Sequence, residues 1–331
     1  MEKYLRKCLD SLCIETTDFN QLEVLVINDG SKDSSSDIAH EYADKYPDVF
    51  KVIDKTNGNY GSCINRGLYE AVGKYVKVLD ADDFFDKTAL GEFLNFLKDH
   101  DADLFLTSFY HVYENRDIIK PSSLHFPPKK SLNFSDYYRS NDFKYIQMHA
   151  FTYKRENLVN IKYRQTEGIS YTDAQWIFLP MSTVTTFYYF PVFLYNYLLG
   201  REGQTMDEEV YAKSIDQLMK MTLGRIEMYE KYNLKEHPYE YYFFTKINET
   251  LKYIYRYSLV VNEQMLPLLR KFDCDFQNIS NSLYNRSYQL QLFDKIPIKL
   301  VKYWRTRKCS CIPSYYLVLL KLLYQISSKK K

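Results

Sequence analysis

Val76-Lys77-Val78-Leu79-Asp80-Ala81-Asp82-Asp83 is an apolar, β-branched run that ends abruptly in three carboxylates. Such a run is expected to be a strand. Its ending delivers acids to the carboxyl edge of a sheet, where open α/β folds bind their ligands. Three carboxylates so close together repel one another unless positive charge sits among them. Hard divalent cations answer that need, since they take oxygen ligands from one or two carboxylates and from substrate phosphates. A solvated acidic turn after a strand is the competing reading, and the flanking segments decide between the two.

Upstream, Glu2 to Cys13 places Tyr4, Leu5, Cys8, Leu9 and Leu12 on one helical face. Leu22 to Ile27 is a short apolar run of the buried-strand type. Asn28-Asp29-Gly30-Ser31 follows it, and Asp33 and Ser34 are suited to cap the next helix. Val49 to Ile53 reads as another strand, Asn57 to Gly61 as a glycine-containing loop, and Ile64 to Val72 as a helix returning to the Asp80 strand. Helix and strand alternate again through Leu90–Leu97 and Asp103–Ser108, and Thr185–Tyr197 reads as two strands broken at Pro191. This rhythm predicts βαβ units and a mostly parallel sheet flanked by helices.

Composition narrows the class. The 331 residues suffice for one or two domains, and a net charge of +2 does not call for a nucleic-acid surface. No secretory leader precedes the six cysteines, so they are expected as thiols in a reducing cytosol. The six histidines are scattered and suggest no ligand cluster. The 33 tyrosines suit sugars, interfaces or an aromatic core equally well. After residue 205 the pattern turns to long helices, Asp207–Tyr232 and Tyr239–Val261. The apolar stretch Ile312–Ile326 with basic flanks fits an amphipathic helix on an anionic leaflet better than a span.

Three segments carry a resemblance to a known family. Glu23-Val-Leu-Val-Ile-Asn-Asp-Gly-Ser31, Asn57-Gly-Asn-Tyr-Gly-Ser-Cys-Ile-Asn-Arg-Gly67 and Gly73-Lys-Tyr-Val-Lys-Val-Leu-Asp-Ala-Asp-Asp83 resemble, in order and spacing, the inverting family 2 glycosyltransferases of bacterial cell-surface polysaccharide type. The resemblance implies a GT-A-like α/β domain over residues 1–204, with a nucleotide-binding half to residue 110 and an acceptor half over 111–204. Residues 205–331 would form a helical region with a basic amphipathic tail. It also implies residue roles. Asp29 would accept a hydrogen bond from the base or ribose, Gly58 and Asn59 would line the nucleotide, and Asp80 would orient the ribose. Asp82 with Asp83 would hold Mg²⁺ or Mn²⁺, as in a DxD motif.

An inverting transfer also needs a base for the acceptor hydroxyl. By the same resemblance this is Asp173, at a helix start after the glycine-bearing loop of Glu167-Gly168, with Glu167 as second choice. Arg201, in Tyr195–Thr205, would pair with the donor's diphosphate. The implied activity is transfer of a single sugar from a UDP-sugar type of donor to a lipid-linked or cell-surface glycan, at the cytoplasmic face of the membrane. The Gln-x-x-Arg-Trp pattern of processive synthases is absent. One departure stands out: relatives begin with a strand of the type VSVIIPVYN just before the helix at Glu2, and this chain lacks it. Neighbouring strands are then expected to carry unpaired backbone groups. A start upstream of Met1, a damaged copy and another segment filling the gap stay open. So does the alternative that the chain is a truncated, non-catalytic homologue serving as a binding or assembly subunit.

Overall fold

In a computed structural model the described residues are 1–15, 19–114, 118–201, 214–293, 298–307, 309, 318 and 320–322. They fall into two compact units, Met1–Ala212 and Lys213–Lys331. The chain opens with α1 (Glu2–Asp10), whose Leu5, Cys8 and Leu9 are buried as the periodicity predicts. Then follow β1 (Val24–Asn28), α2 (Ser35–Lys45), β2 (Phe50–Asp54), α3 (Asn59–Glu70), β3 (Tyr75–Val76), β4 (Phe84–Phe85), α4 (Lys87–Asp99) and β5 (Leu104–Tyr113). Asp86 caps α4 by accepting from the Ala89 amide at 2.8 Å. Next come β6 (Ile118–Ser122), β7 (Ser131–Asn133), α5 (Phe134–Tyr137), α6 (Asn141–Tyr145), β8 (Phe151–Lys154), α7 (Arg155–Asn160), α8 (Asp173–Trp176) and β9 (Thr186–Leu199).

The α/β architecture agrees with the sequence, but the strands do not form one mostly parallel sheet. β1 and β2 pair in parallel as a two-stranded sheet of their own. The other seven strands form a second sheet in the order β3-β8-β5-β9-β4, with β6 on β5 and β7 on β9. Within it only β5 and β9 run parallel, and the remaining pairings are antiparallel. Two expectations change for physical reasons. The strand predicted to reach Asp80 shrinks to Tyr75–Val76, because β8 pairs with those two residues alone. Thr185–Tyr197 is one strand rather than two. The β5–β9 ladder steps from Thr107↔Phe190 to Ser108↔Phe193, so it passes over Pro191, which has no N–H to donate.

Many of the aromatic residues are core. Phe96 stacks on Phe190 at 4.5 Å, and Phe105 on Tyr188 at 5.6 Å, where α4 meets β5 and β9. The second unit holds helices Ile215–Lys231, Glu240–Arg256, Leu266–Ile279, Asn281–Arg286 and Leu300–Thr306. Its centre is a buried ion pair, Asp273 with Arg305 at 2.9 Å. Trp304 Nε1 donates to the same carboxylate at 2.8 Å, and Arg305 Nη1 donates to Ser287 Oγ at 2.8 Å. The start predicted at Asp207 and most of the apolar, basic tail lie outside the described residues.

Candidate functional site

The site is built where β1, the Asp80 segment and the loop before α8 reach the same edge. Asp29 follows β1. Its Oδ1 accepts from the Gly58 amide at 2.9 Å and pairs with Lys55 Nζ, while its carbonyl accepts from Asn57 Nδ2 at 3.1 Å. Asp29 therefore ties the end of β1 to the loop that starts α3. Gly58 and Asn59 form that start, and Asn59 sits in the left-handed region at φ 64°. A helix start of this kind points backbone N–H groups at an anion.

α3 in turn fixes the loop of the second half. The Gly168 amide donates to the Gly58 carbonyl at 2.9 Å. Asn65 Nδ2 donates to the Gln165 carbonyl at 3.0 Å, and the Gln165 amide returns a bond to Asn65 Oδ1 at 2.8 Å. Gln175 of α8 clasps Thr166 from the other side at 2.8 and 2.9 Å. Gly61 makes this close approach feasible: a Cβ there would lie 2.1 Å from the Thr166 carbonyl oxygen. The clasped loop presents Asp173, exposed, at the first residue of α8. Glu167 is engaged elsewhere, with Asn65 Nδ2 at 2.8 Å and Arg164 at 2.8 Å, which hold its carboxyl below the ordinary range.

The acids of the Asp80–Asp83 turn have different partners. Burial, then Asp82 and Asp173, push the Asp80 carboxyl up to about 7. Asp173 is thus near enough to Asp80 to be felt through space. Asp82 pairs with Arg201, so the expected diphosphate ligand reaches into the acid cluster instead. Asp83 is 1 % exposed; it accepts from Tyr195 OH at 2.5 Å and from the Leu198 amide at 2.7 Å. Burial, then Asp80 and Asp82, raise its carboxyl to about 8. Tyr195 OH also accepts from the Asp80 amide at 3.2 Å, locking the acidic turn to β9.

Sequence reasoning missed His149. It lies in the turn before β8, and one oxygen each of Asp80 and Asp83 and a ring nitrogen of His149 lie within 4.8 Å of one another. Its Nδ1 is buried without a hydrogen-bond partner. Burial, then Lys77 and His111, hold the imidazole down to about 3, neutral and able to ligate. Two carboxylates that repel each other and a neutral imidazole form a donor set that fits a divalent cation. Asp82, expected in that set, stands outside this trio. No local motif marks His149, since more than sixty residues separate it from the acids. Lys55 was equally silent.

An acid cluster beyond β3, an amide-rich helix start and a further carboxylate at the head of α8 sit on an α/β scaffold of the GT-A type. Residues 1–160 match the model described as Glycosyl transferase family 2. The chain is 36% identical over 123 residues to the uncharacterized glycosyltransferase MG025 of Mycoplasma genitalium, covering 36% of this chain and 40% of that one. It is 35% identical over 104 residues to the minor teichoic acid biosynthesis protein GgaB of Bacillus subtilis, covering 31% of this chain and 12% of that one. The matches thus span well under half of these relatives' lengths. Among solved structures, S. aureus TarS 1-349 in complex with UDP-GlcNAc superposes with a TM-score of 0.65 at 16% identity, covering 100% of this chain and 89% of that one. At that identity the likeness is one of fold.

Proposed function

We propose that the chain transfers a single sugar, with inversion, from a nucleotide-diphosphate sugar of the UDP type to a lipid-linked or cell-surface glycan. The observation that carries this reading is the meeting of Asp80, Asp82, Asp83 and Asp173 at one spot, beside the Asp29–Gly58 loop. The TarS crystals with UDP and UDP-GlcNAc support a UDP-sugar donor. The teichoic acid role named for GgaB supports a cell-surface acceptor.

Asp29 and the start of α3 hold the base and ribose, and Asp80 orients the ribose. Asp80, Asp83 and His149, with Asp82 alongside, would hold Mg²⁺ or Mn²⁺, which when bound neutralises diphosphate charge. Arg201 exchanges Asp82 for the donor's diphosphate, for which its forked donors suit. Asp173 takes the proton of the acceptor hydroxyl as its oxygen attacks opposite the leaving group. No helix among the described residues is long and apolar enough to cross a membrane. Peripheral contact with an anionic, cytoplasmic leaflet rests on the closing Lys329-Lys330-Lys331. Salt-sensitive cosedimentation with anionic vesicles checks it, and salt-insensitive or absent binding refutes it.

The primary test is calorimetric binding of UDP with and without Mn²⁺, on the chain and on Asp82→Ala and His149→Ala. Metal-dependent binding that both variants weaken supports the transferase. Absence of any UDP binding would favour the second reading, a non-catalytic binding or assembly subunit. That reading draws on the open edge of β1, which among the described residues pairs with β2 alone.

A further inference from the structure

We infer that Tyr197 and Gln147 form the wall that receives the transferred sugar, and that this wall selects a neutral hexose. The inference rests on the transferase reading and adds the residues that touch the sugar itself. β9 and β5 run parallel, with Tyr195 opposite Phe109 and Tyr197 opposite His111. Alternation along a strand puts Tyr195 and Tyr197 on one face, where Phe109 meets His111 at 5.1 Å and His111 meets Tyr197 at 5.9 Å. His149 docks on that face. Its ring lies 4.1 Å from Tyr197, nearly parallel at 26°, and 4.7 Å from Tyr195. The imidazole beside Asp80 and Asp83 is therefore seated on two tyrosines of β9.

The two tyrosines are engaged differently. Tyr195 OH donates to Asp83. Tyr197 is half-buried, and its hydroxyl has no hydrogen-bond partner among the described residues. Gln147 carries a second such group. Its Oε1 accepts from His111 Nε2 at 3.3 Å, which leaves the hydrogens of its own amide nitrogen unpaired among the described residues.

The place of these donors follows from the reaction. An inverting displacement holds the anomeric carbon between the departing diphosphate oxygen and the attacking hydroxyl. The diphosphate belongs with Asp80, Asp83 and His149, and the hydroxyl with Asp173. Tyr197 stacks on His149, and its phenol is raised by burial and then by Asp83, Asp173, Asp80 and Asp82. It thus feels the acid cluster and the base alike, as a group flanking the transferred sugar must. A phenol and a carboxamide are uncharged donors that suit sugar hydroxyls. The nearby cations are engaged: Lys77 with the carbonyls of His149 and Phe151, Arg201 with Asp82, and Lys120 over the Tyr113 ring. A carboxylate on the sugar would face the acids instead, and like charges repel.

The test measures Mn²⁺-dependent hydrolysis of UDP-glucose, UDP-galactose, UDP-N-acetylglucosamine and UDP-glucuronate without acceptor, beside calorimetric binding of UDP. Tyr197→Phe keeps the ring on His149 and removes the hydroxyl. It is expected to lower kcat/KM for the best neutral donor by about three- to tenfold, the worth of one hydrogen bond, while UDP affinity and melting temperature hold. Tyr197→Ala also removes the stack, so it should weaken Mn²⁺-dependent UDP binding as well. Gln147→Ala should change the ratio of rates among the three neutral donors, and UDP-glucuronate should be the poorest of the four. Unchanged rates and ratios in Tyr197→Phe and Gln147→Ala, with UDP bound normally, overturn the inference and leave the transferase reading standing. So do a preference for UDP-glucuronate and UDP binding with hydrolysis of none of the four. A Tyr197→Phe loss in UDP affinity equal to its loss in kcat/KM would mark a structural role and overturn it too. Neither UDP binding nor hydrolysis by the unaltered chain overturns the transferase reading and this inference together.

Discussion

In the proposed transfer Asp173 is the base, and it stands exposed at the head of α8, whose Gln175 is bonded to Thr166. Asp173→Asn keeps the volume and removes the base. Turnover is expected to fall by about 10²–10⁴-fold with UDP affinity unchanged, measured by steady-state kinetics beside calorimetry. Lys77 supplies a pH test. Its ammonium donates to the carbonyls of His149 at 2.7 Å and Phe151 at 3.2 Å, and burial brings it down to about 7 from an ordinary 10.5. The folded pKa is the lower one, so between these values the unfolded chain binds more protons and stability rises with pH. Below about 7 the penalty is complete. Lys77→Met removes it, so urea melts should show the variant's advantage greatest near pH 6.5 and shrinking toward pH 10, in roughly the window the shift defines.

At the scale of elements, the contact between α3 and the 165–168 loop aligns the two halves of the site. Gly61→Ala would drive a methyl into the Thr166 carbonyl, with only 2.1 Å between them. A loss of about 1–3 kcal/mol is expected in urea unfolding, with weaker UDP binding as the loop shifts. A variant of unchanged stability would show that the loop yields freely. β9 is the other organising element. It carries Tyr195 and Leu198 to Asp83 and ends beside Arg201, so one strand both anchors the acidic turn and delivers its cation. The sequence marked this stretch as two strands broken at Pro191. Its passage across Pro191 was not marked, because a bulge is a property of the pair: β5 must supply the shifted register.

At the scale of the molecule, each unit has its own core. In the second unit Asp273 and Arg305 are buried with every strong partner close by. Asp273→Ala leaves a buried guanidinium uncompensated and should cost about 3–5 kcal/mol by urea unfolding, whereas Asp273→Leu with Arg305→Met should cost far less. Equal losses would mean that the ion pair itself supplies the stability. The helix faces and the segments of β1 and β2 were legible in the sequence, because local periodicity depends on residues near one another in the chain. Asp29, Gly58, Asp80, Asp82, Asp83 and Asp173 were picked out by their resemblance to family motifs. His149, Lys55 and the Arg201–Asp82 pair were not, since they meet only through contacts between segments far apart in sequence. By itself the sequence determined the first helices and the strands β1, β2 and β5, and it singled out the carboxylates that cluster after β3. Only the tertiary structure decided which acids pair with which cations and which strands find partners. Hydrogen-bond ladders and desolvated charges are completed by partners that folding alone brings within reach.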